Sequence, residues 1–176
     1  MSRKNKEQLN KIAYGFGIAL VVILLAFLAY PKVFAKQILK KEVSEVQTLV
    51  QTFGQRLQNV ALTNVEEDEL SLNIEKNYGD LVTSPILLVK WLANPENAPG
   101  KYVPNVIPES IEIISTEKLN ETTYEVKGEI IEIYPADDVN EKEIADKKPI
   151  TILLEKVDKN WLIADFILEK NENEVE

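Results

Sequence analysis

The chain has 176 residues, 45% of them apolar and 28% charged, enough apolar side chain for a packed core and too much for wholesale disorder. It contains neither histidine nor cysteine, which excludes disulfides, Cys/His zinc sites, thiol nucleophiles, Ser-His-Asp triads and histidine acid–base chemistry. The net charge of −9 disfavours a broad phosphate-binding surface, so no nucleic-acid partner is expected.

The charge is unevenly spread. Residues 1–11 form a basic tail, with Arg3, Lys4, Lys6 and Lys11 against Glu7 alone. Residues 12–31 carry no charge and include the apolar run from Ile18 to Ala29. Twenty helical residues span about 30 Å, the hydrocarbon thickness of a bilayer. Tyr14 and Tyr30 stand at the two ends, where interfacial aromatics belong. A single transmembrane helix over 12–31 is therefore expected, with the lipid bilayer as its partner. A cleaved signal peptide is the alternative, since Val33-Phe34-Ala35 offers a small-residue cleavage site. Lys32, Lys36, Lys40 and Lys41 make a basic collar beyond the span, so the flanking positive charges tie. The basic start, typical of an uncleaved signal anchor, tips the expectation towards a cytoplasmic tail and an extracytoplasmic C-terminal domain at the cell membrane.

The remainder reads as one α+β domain over 32–169 with a polar tail at 170–176. Leu39, Val43, Val46, Val50, Phe53, Leu57 and Val60 recur at spacings of 4 and 3, which predicts a long amphipathic helix over 36–62. The 3.5 period suits a coiled-coil dimer. Leu49 widens the stripe and Gly54 interrupts it, which favours a helix laid on a sheet. The acidic run Glu66–Glu69 predicts the start of a short helix containing Leu70, Leu72 and Ile74. Ser84-Pro85 reads as N-cap and first residue of another helix, Ile86 to Ala93, with Leu87, Leu88, Trp91 and Leu92 as its apolar face. Four prolines from Pro95 to Pro108 mark a connecting loop.

After Pro108 the period changes to two. Strands are expected over Ile111–Thr116, Thr122–Tyr134, Ile150–Leu154 and Trp161–Leu168, with Leu119-Asn120-Glu121 and Asp158-Lys159-Asn160 as turns. In the second strand Tyr124, Val126 and Ile130 alternate on one face before Ile131 and Ile133 change parity, so a β-bulge is expected just after Gly128. Charged Pro135–Lys148 reads as an excursion between strands. The plan is an N-terminal transmembrane helix followed by helices packed on a bent four-stranded antiparallel sheet.

The long helix, the short helices ending in Ile86–Trp91, and the segment Ile150-Thr151-Ile152-Leu153-Leu154-Glu155-Lys156-Val157-Asp158-Lys159-Asn160-Trp161-Leu162-Ile163 resemble the nuclear transport factor two-like (cystatin-like cone) superfamily over residues 38–169. The last segment looks like the final hairpin of such domains. The resemblance implies a cone-shaped α+β domain. Membrane-tethered members include assembly proteins of secretion and conjugation systems, and other members are isomerases and dehydratases with Asp, Tyr or His in the cone mouth. Histidine is missing here. Asp165 and Tyr134 are the candidates for facing such a cavity, a carboxyl whose pKa burial would raise beside a phenol donor. Against this, Tyr134 ends a strand before Pro135, and Asp165 lies between Ala164 and Phe166, pointing to solvent. Asp137–Glu141 has neither the glycine nor the spacing of a calcium loop. Asn120-Glu121-Thr122 fits a glycosylation triplet, and Trp91 and Trp161 read as core. No catalytic, cofactor-binding or metal-ligating residue is assigned.

The expected function is that of a single-pass, membrane-anchored, non-catalytic interaction or assembly module of the cell envelope, bound to a protein partner or to further copies of itself. The alternative is an extracytoplasmic small-molecule-binding or enzymatic cone.

Overall fold

Four antiparallel strands in chain order carry the helices on one face; the computed structural model describes residues 37–102, 105–135 and 143–169. The expected basic tail, transmembrane span, Asp137–Glu141 segment and polar tail lie outside those residues. No helix among the described residues is long and apolar enough to cross a membrane. The chain divides into two compact units, Met1–Glu42 and Val43–Glu176, and the core belongs to the second.

Helix α1 covers residues 37–56 and passes into a 3-10 turn, Leu57–Asn59, before Val60 becomes extended. It therefore ends earlier than its apolar period does. Val46, Val50, Phe53, Leu57 and Val60 are fully buried, and Leu39, expected in the same stripe, is 44% exposed. The stripe lies on the sheet, where Gly54 brings the helix backbone against the first strand. A Cβ there would stand 2.7 Å from the Ile111 amide nitrogen and 2.9 Å from its Cγ1. Alanine at position 54 gains about 1 kcal/mol of helix propensity but overpacks backbone that cannot step aside, at a cost of about 1–3 kcal/mol. Gly54→Ala is expected to lose up to about 2 kcal/mol net, read by urea unfolding of the full chain in micelles through its two buried tryptophans.

Helix α2, Glu67–Tyr78, begins with Glu67, Asp68 and Glu69 in its first turn, where carboxylates oppose the positive end of the dipole. Leu70, Ile74 and Tyr78, each four residues apart, turn into the core, while Leu72 is 66% exposed. Ser84 is not an N-cap. Thr83 takes that position without a side-chain cap bond, and Ser84–Leu88 forms a π turn leading into helix α3, Val89–Ala93. The expected apolar face survives: Leu87, Leu88 and Trp91 are buried, and Leu92 packs against them half-buried.

Three strands are longer than hydropathy suggests, β1 Ile107–Asn120, β3 Ile144–Val157 and β4 Asn160–Leu168, while β2, Thr123–Ile133, is one residue shorter at each end. Their register holds one correction. β2 keeps an unbroken period of two, with Tyr124, Val126, Gly128, Ile130 and Glu132 all facing inward. The extra residues lie in its neighbours, at Glu109, Ile114 and Leu119 of β1, Ala145 of β3 and Ala164 of β4. Gly128 does mark a bulge, but across the ladder: its Cβ would meet the Glu112 carbonyl at 2.6 Å where β1 takes in Ile114.

The Pro135–Lys148 excursion is also shorter than expected, because β3 already runs from Ile144. Lys147 and Lys148 there are paired across strands. Lys147 reaches Glu112 of β1 at 3.1 Å and Glu129 of β2 at 3.3 Å, and these hydrogen bonds raise its pKa. The outer edge of β4 is partly covered by the segment before the π turn, with Thr83 N–H donating to Ile163 O at 2.8 Å and Ile163 N–H to Leu81 O at 2.9 Å.

Between helices and sheet the space is filled by rings. Phe53 lies 4.9 Å from Tyr78, 6.2 Å from Trp91 and 5.7 Å from Phe166, centroid to centroid. Tyr78 and Trp91 meet edge-on at 5.6 Å, within the range in which aromatic pairs attract. Tyr124 and Trp161 make a second pair at 5.0 Å nearer the hairpin turns, capped by Lys118 and Lys156 over the rings.

Candidate functional site

The inward parity of β2 carries an acid to the end of the sheet away from the hairpin turns. Glu132 is only 6% exposed. A carboxylate held there needs a counter-charge, because its desolvation is not repaid by apolar neighbours. Lys148, inward-facing on β3, supplies it: its Nζ donates to Glu132 Oε1 at 2.8 Å. The same ammonium stands 5.9 Å from the centre of the Tyr102 ring.

Tyr102 is delivered by the proline-rich loop, which several bonds fasten to the body. Pro95–Asn97 makes a 3-10 turn, and the Tyr78 hydroxyl donates to Pro99 O at 2.6 Å. Lys101 N–H donates to Val60 O at 2.8 Å and Leu62 N–H to Lys101 O at 2.9 Å. Gly100 permits this approach, since a Cβ would lie 2.5 Å from Val60 O. Burial pushes the Tyr78 phenol far above its ordinary value. It also raises Tyr102, against the lowering effect of Lys148 and with a further upward push from Glu96. Both phenols are donors at neutral pH: Tyr78 to Pro99 O, and Tyr102 to Glu96 O at 3.3 Å.

Loop and sheet enclose a cavity of about 90 Å³ lined by Pro99, Tyr102, Ile130, Glu132, Lys148 and Phe166 among others. Its lining has one acid, one base, the Asn97 amide and the Tyr102 phenol, and is otherwise apolar or backbone. Such a place can bind a charged group. In the resting pair each member is the other's counter-ion.

A larger hollow of about 770 Å³ opens beside Arg56, Glu75, Asp80 and Ser84. One of its two cations, Arg56, is spent on the chain itself. The Arg56 guanidinium forks onto both oxygens of Asp80 and also donates to Asn77 O at 2.9 Å, which ties α1 to the end of α2. Those bonds hold the Asp80 carboxyl below its usual range.

Asp165 and Tyr134 are not brought together. Asp165 lies opposite Leu153 on the outer face of β4, accepts from Phe166 N–H at 3.0 Å and stands 3.9 Å from Lys90 Nζ. Tyr134 is 46% exposed beyond the end of β2, its N–H donating to Glu143 O at 3.0 Å. Asn120 is the exposed last residue of β1, the turn itself being Glu121-Thr122, and its Oδ1 accepts from Thr122 N–H at 2.9 Å. Trp91 and Trp161 are core, at 2% and 6% exposure. No group of three acids that could hold a metal occurs among the described residues. Glu132 and Lys148 were missed by sequence reasoning. The available signal was parity: counting on by twos from Tyr124 puts Glu132 inside.

No family model, curated protein or solved structure matches the chain.

Proposed function

We propose that this chain is a single-pass, membrane-anchored, non-catalytic interaction or assembly module of the cell envelope, its cone-like domain extracytoplasmic and related in plan to the nuclear transport factor two-like superfamily. One observation carries the reading. The space between helices and sheet, where a cone enzyme would hold its substrate, is filled by Phe53, Tyr78, Trp91 and Phe166. The cavity left at the rim is about 90 Å³, a few water volumes and small for a substrate pocket. Recognition then falls to the surface, which is acidic: residues 42–176 carry 12 basic and 28 acidic side chains. Steering of that strength suits a basic partner. A role in secretion or conjugation machinery is consistent with the anchor and this acidic domain.

The alternative, an extracytoplasmic small-molecule-binding domain, draws on the buried Glu132 beside that cavity. The test is cross-linking in intact membranes followed by recovery of a tagged full-length chain, alongside protease treatment of intact cells. A specific protein or a second copy, on a domain cut from outside, is expected. Recovery of no protein overturns the interaction reading, and a domain cut only after the membrane is inverted overturns its orientation.

A further inference from the structure

The rim cavity is built around an ammonium. Its innermost charge is the Glu132 carboxylate, and beside it stands the face of the Tyr102 ring. Both attract cations, the ring through its quadrupole. Lys148 proves that a primary ammonium fits, with its nitrogen 2.8 Å from Glu132 Oε1. The two members of the pair are held unequally. The Glu132 side chain is 8% exposed and short, while the Lys148 side chain is 29% exposed and sits on a flexible four-carbon stem. Lysine can leave for water. Glutamate cannot.

About 90 Å³ of space adjoins the pair, room for an ammonium head and a short alkyl stem against Ile130 and Phe166. Charge decides what can enter. An anion drawing Lys148 away would leave Glu132 buried without a counter-ion, a severe penalty. Exchanging one ammonium for another leaves the buried charge unchanged, so the fold has already met the desolvation cost.

We propose that this cavity binds a primary alkylammonium group from outside the chain, with Lys148 as a built-in competitor that holds the carboxylate when no ligand is present. The inference rests on the interaction reading only for the source of that ammonium, a lysine presented by a partner protein. Lys148 lowers the apparent affinity by the fraction of time it occupies Glu132. That sets a threshold: only an ammonium presented at high local concentration, as on a docked partner, displaces it.

The test titrates the isotope-labelled full chain in micelles with propylammonium, propionate and propanol, following the amide resonances of Gly100, Tyr102, Glu132 and Lys148. Propylammonium is expected to shift them saturably and the other two are not. Glu132→Gln is expected to abolish the response. Lys148→Met is expected to tighten binding about tenfold by removing the competitor. Lys148→Arg, a safer variant for folding, is expected to weaken binding, since a guanidinium grips a carboxylate through two bonds. No saturable shift in wild type, an equal response to propionate, or tighter binding by Lys148→Arg would overturn the proposal. A Gly-Lys-Gly peptide blocked at both ends separates the sources. Its binding supports a protein lysine, and binding of free propylammonium alone supports the cavity while assigning it to a small amine. A partner recovered by cross-linking with no ammonium response overturns this inference and leaves the interaction reading standing.

Discussion

Phe53→Ala is expected to remove about 3–5 kcal/mol of unfolding free energy, the range for truncating a fully buried aromatic. Phe53 is 0% exposed and joins α1 to three other elements through Tyr78, Trp91 and Phe166. Its removal opens a cavity whose walls are themselves rigid rings, so collapse recovers little. Each lost ring pair adds about 0.5–1.5 kcal/mol beyond area burial, whereas the helix-propensity gain of alanine is below about 1 kcal/mol. A small domain has only about 5–15 kcal/mol in hand. The variant is therefore expected to sit near its unfolding midpoint at low urea, with Trp91 emission already shifted to the red. Phe53→Leu, which keeps most of the volume, is expected to lose roughly half as much. Equal stability of Phe53→Ala and wild type would show that the four rings are not a packed unit, and would remove the main support for a filled, non-catalytic interior.

The parts of this fold legible in the sequence are those governed by local period and turn chemistry. The stripe from Val46 to Leu57 is buried as its spacing requires, and four strands follow one another through turns near Asn120 and Asp158. Asp158 itself adopts φ 57°, a conformation that Asp tolerates in tight turns. Failures cluster where charge is held by tertiary partners. Ile144–Lys148 reads as loop because Asp146, Lys147 and Lys148 hide the strand, yet Lys147 and Lys148 are each paired across the sheet. The supposed parity change in β2 has the same origin: Glu132 is polar in an inward position, so the neighbouring Ile131 and Ile133 look like the buried set. Hydropathy reports transfer from water and knows nothing of a counter-ion supplied from the next strand. The candidate site was invisible for that reason, whereas the aromatic core around Trp91 was not. Where the apolar pattern of an otherwise regular strand shifts by one residue, a buried charge is the competing explanation to a bulge.

Lys148→Met is expected to lose about 2–4 kcal/mol, because it leaves the Glu132 carboxylate inside without its counter-ion. The figure is discounted from the 3–5 kcal/mol typical of fully buried pairs, since the Lys148 side chain is 29% exposed and water can reach its end of the bridge. Glu132→Leu alone is expected to lose less, because the abandoned ammonium can turn out on its flexible stem. The double variant Glu132→Leu/Lys148→Met is expected to return to within about 1 kcal/mol of wild type, both charges having been exchanged for apolar side chains of similar size. The cycle should therefore yield a coupling of about 2 kcal/mol or more, well beyond the 0.2–1 kcal/mol of exposed pairs. For comparison, the bridges of Lys147 to Glu112 and Glu129 lie at the surface and are expected to couple more weakly. Urea unfolding of the four proteins in micelles supplies all the terms. Additive losses would mean that Glu132 and Lys148 are solvated independently, and the rim cavity would then have no carboxylate waiting for a cation. A large coupling with a restored double variant would mean that the pair stabilises the fold no more than an apolar plug would, with the Glu132 carboxylate dependent on a cation at the rim cavity.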